Sequence, residues 1–130
     1  MNKPNKYKVL IVDDEDANII VLTDILEPEY EVIVAKSGRG AINAAKMYLP
    51  DVILLDIIMS DMDGYEVLAA LKNDEKIKDI PVIFVSGLKD IDDRKKGISL
   101  GASEYISKPF SQKEVMLIVG NQIKIRYKNG

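Results

Sequence analysis

Val9-Leu10-Ile11-Val12-Asp13-Asp14 decides how this chain is read. Four apolar residues stand in a row, with no alternation of wet and dry positions, and two acids end the run. Unbroken apolar runs are what parallel strands need when both faces of their sheet are covered. The same grammar returns three times: Val52-Ile53-Leu54-Leu55 ends at Asp56, Val82-Ile83-Phe84-Val85 at Ser86, and Tyr105-Ile106-Ser107 at Lys108-Pro109. In one parallel sheet all these polar groups emerge at the same edge, where open α/β sheets bind ligands. Acids beside a hydroxyl and a lysine suggest a hard cation and an oxyanion, most simply Mg²⁺ and a phosphoryl group.

Working outward, strands are predicted near 8–12, 31–35, 52–55, 81–85 and 104–106. Helical patterns near 16–26, 38–48, 64–73, 91–100 and 112–127 separate and follow them. Strand starts recur at the length of a βαβ unit. This alternation predicts a doubly wound α/β fold with right-handed crossovers. Glu31-Val32-Ile33-Val34-Ala35, flanked by polar residues, reads as an edge strand. Ser37, Asp63 and Ser111 stand where helix N-caps belong, and Gly101 where a helix ends. Pro50, Pro81 and Pro109 fall at element boundaries.

Composition narrows the chemistry. The chain has 130 residues, no cysteine and no histidine. Disulfides, thiolate nucleophiles, a Ser-His-Asp triad and a phosphohistidine carrier are therefore excluded within it. The net charge of -3 argues against direct nucleic-acid binding, which needs clustered basic surface. The apolar run before Asp13 is too short for a membrane span or a signal peptide, so a cytoplasmic location is expected. One domain over 1–130 is the expectation, with a core of about 7–127 and short tails.

If the first and third strands are neighbours, about 4.8 Å apart, Asp13, Asp14 and Asp56 converge. An all-carboxylate set selects Mg²⁺, Mn²⁺ or Ca²⁺, and an open edge favours Mg²⁺, which keeps waters and takes phosphoryl oxygens. Crowded carboxylates raise one another's pKa. A plainer reading also holds for each part alone: Asp13 to Asp16 as acids at a helix start, Asp56 as a cap, Ser86 as a turn residue, Lys108 as a solvated charge. The joint pattern across four strand ends favours the functional reading.

At this point the chain resembles the receiver domain of two-component response regulators over about residues 7 to 127. The resemblance lies in Val12-Asp13-Asp14-Glu15, Leu54-Leu55-Asp56-Ile57-Ile58-Met59, Met62-Asp63-Gly64, Val85-Ser86-Gly87 and Gly101-Ala102-Ser103-Glu104-Tyr105-Ile106-Ser107-Lys108-Pro109-Phe110. It implies a flavodoxin-like five-stranded parallel sheet of order 2-1-3-4-5 with helices on both faces. It implies that Asp56 accepts a phosphoryl group as an aspartyl phosphate. Asp14, Asp56 and the backbone carbonyl of Ile58 would bind Mg²⁺, for which Mn²⁺ can substitute, with Asp13 acting largely through water. Lys108 would bind a phosphoryl oxygen and pair with Asp56 beforehand. Ser86 would donate to the phosphoryl group, Tyr105 would turn inward as Ser86 moves, and the Lys108-Pro109 bond would be cis. The donor would be a phosphohistidine on a sensor histidine kinase or a histidine phosphotransfer protein. Output would pass through helix 4, strand 5 and helix 5, to a homodimer partner or an output domain.

The chain departs from the family pattern in places. Ser60 stands where proline is usual, which suggests a looser loop after strand three. Ser86 replaces the commoner threonine, and Gly87, where alanine is common, leaves room for the phosphoryl group. Ile58 and Leu88 offer no amide or acid to orient water, so self-dephosphorylation should be slow. In the last helix, Val115, Met116, Leu117, Ile118, Val119, Ile123 and Ile125 span more than one face; about half should be core and the excess a contact surface. Asp92 to Lys96 read as a solvated face, and the tail from Lys124 to Lys128 is too short to indicate nucleic-acid binding. Two alternatives remain: a Mg²⁺-dependent aspartyl-phosphate hydrolase and a phosphorylation-independent binding module. The hydrolase class usually carries Asp-x-Asp after the first strand, which Asp13-Asp14-Glu15 does not match.

Overall fold

The computed structural model describes residues 6–87 and 91–128. Strands and helices alternate as β1 (Lys8–Val12), α1 (Asp16–Leu26), β2 (Glu31–Ala35), α2 (Gly38–Tyr48), β3 (Val52–Leu55), α3 (Gly64–Lys72), β4 (Val82–Ser86), α4 (Ile91–Ser99), β5 (Glu104–Ser107) and α5 (Gln112–Lys128). The five strands form one parallel sheet in the order β2-β1-β3-β4-β5. The expected element ends differ by about a residue, with one consequence: Ser86 is the last residue of β4, not the first after it.

The apolar runs fail to alternate because both faces of the sheet are dry. Leu10, Val12, Ile53, Leu55 and Phe84 pack with Ala41, Ala45, Val67, Leu68 and Leu71 beneath α2 and α3. Their strand neighbours Val9, Ile11, Val52, Leu54, Ile83 and Val85 pack with Leu22, Leu26, Val115, Val119 and Ile123 of α1 and α5. Each buried valine, leucine, isoleucine or phenylalanine among them contributes about 1.5–3 kcal/mol. α4 lies on the α2/α3 face, where a Cβ at Gly97 would meet the Phe84 ring at 2.8 Å.

The helix boundaries follow from local chemistry. Ser37 Oγ accepts from the Gly40 N–H at 3.0 Å, and Ser111 Oγ from the Glu114 N–H at 3.0 Å. Asp63 and Glu66 form a reciprocal capping box at the start of α3. Gly101, at φ 114°, turns the chain out of α4. At α2 the left-handed residue is Leu49, φ 48°, just before Pro50. The Lys108-Pro109 bond is cis.

At the far edge of the sheet α5 is fastened down. Arg126 donates to the carbonyls of Pro50 (3.2 Å) and Asp51 (3.1 Å), and the Tyr127 hydroxyl donates to Asp51 Oδ1. Tyr127 also stacks on Tyr7, with ring centroids 5.3 Å apart. The basic tail thus closes the bottom of the fold. Of the apolar residues in α5, Val115, Val119 and Ile123 are buried, Met116 and Ile118 are half-buried, and Leu117 and Ile125 are exposed. Most of Asp92 to Lys96 is solvated as expected, though Arg94 reaches Glu104 at 3.4 Å and Lys96 lies 4.2 Å over the Tyr65 ring.

Candidate functional site

Sheet register assembles the site. Val12 pairs with Leu55, so Asp13 and Asp56 leave neighbouring strands side by side. Both are still held by ladder bonds, Asp13 N–H to the Ala35 carbonyl (3.2 Å) and Asp56 N–H to the Val12 carbonyl (2.9 Å). On the other side Ser86 pairs with Ser107, and the Lys108 N–H donates to the Ser86 carbonyl at 2.8 Å. The sheet therefore fixes all four positions before any side-chain contact is made.

Asp13, Asp56 and Ser86 are buried, at 2%, 5% and 0% exposure. Lys108 Nζ stands between the two acids, 3.5 Å from Asp13 Oδ2 and 3.8 Å from Asp56 Oδ1. The expected pairing with Asp56 is thus shared, with Asp13 the nearer partner. Burial pushes the Asp56 carboxyl up to about 6. Lys108 opposes that shift, the Asp13 charge adds to it, and hydrogen bonds from the Ile58 and Ile57 backbone oppose it. Asp13 Oδ1 is occupied by the Glu15 N–H at 2.9 Å.

Carboxylate oxygens of Asp13, Asp14 and Glu15 lie within 4.8 Å of one another. Among the described residues this is the one such acidic group; Asp56 adjoins it through Asp13 rather than belonging to it. Glu15 is the N-cap residue of α1, yet its side chain makes no capping bond. Asp13 serves the helix start by taking the Glu15 N–H and Asp16 lies in the first turn, while the Asp14 and Glu15 carboxylates cluster with Asp13 at the sheet edge. Hard, anionic oxygens beside a buried carboxylate and one lysine fit a small divalent cation.

A cavity of about 320 Å³ opens over Asp56, lined also by Glu15, Asn18, Ile58, Gly87 and Lys108. Ile58 is 61% exposed at its rim, whereas Leu88 lies outside the described residues. Gly87 is not demanded by the surrounding protein atoms, none of which a Cβ there would meet within 4 Å. Gly64 is: a Cβ would lie 2.6 Å from the Asp56 carbonyl oxygen. That contact and the Gly64 N–H bond to the Ile57 carbonyl (2.6 Å) set α3 directly against the backbone of Asp56.

Tyr105 is turned inward, 2% exposed, and its phenol shares a hydrogen bond with Ser86. Burial raises its pKa. Its ring stands edge-on to Phe84, which in turn stands edge-on to Tyr65. The loop after β3 is tied down rather than loose. The Ser60 N–H donates to Asp14 Oδ2 at 3.2 Å, and the Asp61 carboxylate accepts from the Gly38 (2.9 Å) and Arg39 (3.2 Å) N–H groups of α2. Sequence reasoning missed the parts played by Glu15, Asn18 and Ser60. Glu15 stood beside Asp14 in a quoted motif and Ser60 stood out where proline is usual, but neither signal announced the contact it makes; for Asn18 there was no local signal.

Residues 9–120 match the response regulator receiver domain family. The chain belongs to that family: it is a receiver domain of the two-component type, whose role is phosphoacceptor signalling. It is 44% identical over 112 residues to the protein named "Probable transcriptional regulator ycf27" of Guillardia theta, covering 85% of this chain and 42% of that one. It is 39% identical over 122 residues to response regulator PleD of Caulobacter vibrioides, covering 93% of this chain and 26% of that one. The chain thus spans less than half the length of these curated relatives. A crystal structure of a CheY-like response regulator receiver domain protein from Methanospirillum hungatei superposes with a TM-score of 0.88 at 25% identity, over 97% of this chain and 100% of that one. Receiver domains generally bind Mg²⁺ at an acidic pocket and work with histidine kinases or phosphotransfer proteins. Among the described residues no helix is long and apolar enough to cross a membrane.

Proposed function

We propose that Asp56 is the phosphoacceptor. Its buried carboxylate, fixed by the sheet and facing an open cavity beside Lys108, is the observation that carries this reading. An Asp56 oxygen attacks the phosphorus of a partner's phosphohistidine; the P–N bond breaks, a P–O bond forms, and the imidazole leaves. Asp13, Asp14, Asp56 and the Ile58 carbonyl would hold Mg²⁺ or Mn²⁺, and Glu15 stands close enough to join them. When bound, the cation supplies positive charge to phosphoryl oxygens in a transfer that depends on alignment and neutralisation. Lys108 offers the second positive charge, and release from Asp13 and Asp56 frees it for a phosphoryl oxygen. Ser86 exchanges its bond with Tyr105 for one to the phosphoryl group, and that exchange is the switch.

The donor is a sensor histidine kinase or a histidine phosphotransfer protein. The output surface is α4-β5-α5, where Ile98, Leu100, Leu117 and Ile125 are exposed; a homodimer partner or an output domain would take it. The domain works in the cytoplasm, as one unit over 1–130, with no enzymatic task beyond its own phosphorylation and slow hydrolysis.

Intact mass after incubation with a small phosphoryl donor and Mg²⁺ tests the assignment. One added phosphoryl group in the wild type and none in Asp56→Asn is the expected result. No addition to folded wild type, with an active donor, would leave the phosphorylation-independent binding module as the reading.

A further inference from the structure

One departure from the family pattern touches the acidic pocket directly. Proline has no N–H, so a chain with proline at position 60 could not make the backbone bond that Ser60 makes here. The Ser60 N–H reaches Asp14 Oδ2 at 3.2 Å, and its hydroxyl approaches the same oxygen at 3.5 Å. The next residue fastens the opposite side of the loop: the Asp61 carboxylate takes two N–H groups at the start of α2, and those bonds hold its pKa down. Ser60 and Asp61 together therefore bridge Asp14 to α2. Met62 completes the attachment by packing on Gly38, where a Cβ would lie 2.8 Å from the Met62 Cβ.

A carboxylate has two oxygens, and a small cation needs only one of them. Both contacts from Ser60 fall on Oδ2. We propose that Ser60 is a positioning residue for Asp14: its backbone N–H fixes the carboxylate through Oδ2 and presents the other oxygen to the divalent cation. The bond persists when the cation binds. Holding the side chain in advance removes an ordering cost that binding would otherwise carry. The proposal rests on the receiver reading, since it concerns the cation of that same pocket.

The test is a Mg²⁺ titration of wild type, Ser60→Ala and Ser60→Pro, read by calorimetry and by amide resonances. Melting of each protein without metal checks the fold. Ser60→Ala keeps the N–H and should bind within about twofold of wild type. Ser60→Pro should bind roughly 3- to 10-fold more weakly, the effect of one ordered side chain. In wild type the Ser60 amide proton should stay protected from exchange at saturating Mg²⁺, a readout that needs no variant. Equal or tighter binding by Ser60→Pro overturns the proposal. So does an equal loss in both variants, or a Ser60 amide that becomes exchangeable on Mg²⁺ binding. Absence of any Mg²⁺ response in wild type overturns the metal reading itself, and with it the proposal.

Discussion

Asp56 carries a conflict that can be measured without a partner. Its folded-state pKa of about 6 lies above the ordinary carboxylate value of 3.8. Between about pH 4 and 6 the folded protein therefore holds a proton there that the unfolded chain has already released. The stabilisation that this proton gives is complete below about pH 4 and is lost as pH rises through about 6. Asparagine cannot ionise, so Asp56→Asn should be more stable than wild type at pH 7 to 8, by on the order of 2 kcal/mol. The difference should vanish near pH 4. Thermal melts across that range in metal-free buffer check it, and equal stability at pH 8 would contradict the burial argument. A neighbouring position governs lifetime instead. Ile58 presents an apolar, 61% exposed side chain at the cavity rim. Ile58→Asn should shorten the half-life of the phosphorylated protein several-fold, followed as loss of the added mass. The acids and Lys108 were legible in the sequence because each ends an apolar run. Ser60 was not, because its role depends on a loop crossing to a residue 46 positions away.

Among the elements, α3 has the most direct hold on the site. Its capping box at Asp63 and Glu66 fixes where the helix begins, and Gly64 then abuts the Asp56 backbone. Asp63→Ala should cost about 1 kcal/mol, the usual worth of an N-cap. A melting temperature lower by about 4 °C is the expected result for a domain of this size. The caps at Ser37, Asp63 and Ser111 could be read in advance because capping is local chemistry. The left-handed turn at Leu49 could not, because glycine is the usual signal and leucine is not. The loop after β3 was misjudged for a related reason. Losing a proline suggests freedom, but the N–H gained in exchange found an acceptor in Asp14.

At the scale of the molecule, the parallel sheet was legible because unbroken apolar runs need cover on both faces, and here α1 with α5 and α2 with α3 provide it. The register that sets Asp13 beside Asp56 follows from that fold. The fastening of α5 by Arg126, Tyr127 and Asp51 does not, since it joins residues 75 and 76 positions apart that carry no shared pattern. One feature of this architecture has an optical consequence. The chain has no tryptophan, so its intrinsic ultraviolet signature comes from six tyrosines and two phenylalanines. Tyr65, Phe84 and Tyr105 stand edge-on in sequence beneath α4, in a fixed and asymmetric array. Rings held that way give circular dichroism near 280 nm, and the signal fades when one of them rotates freely. The protein thus contains its own chromophore at the place where its state would change, and a cuvette without labels is enough to watch it.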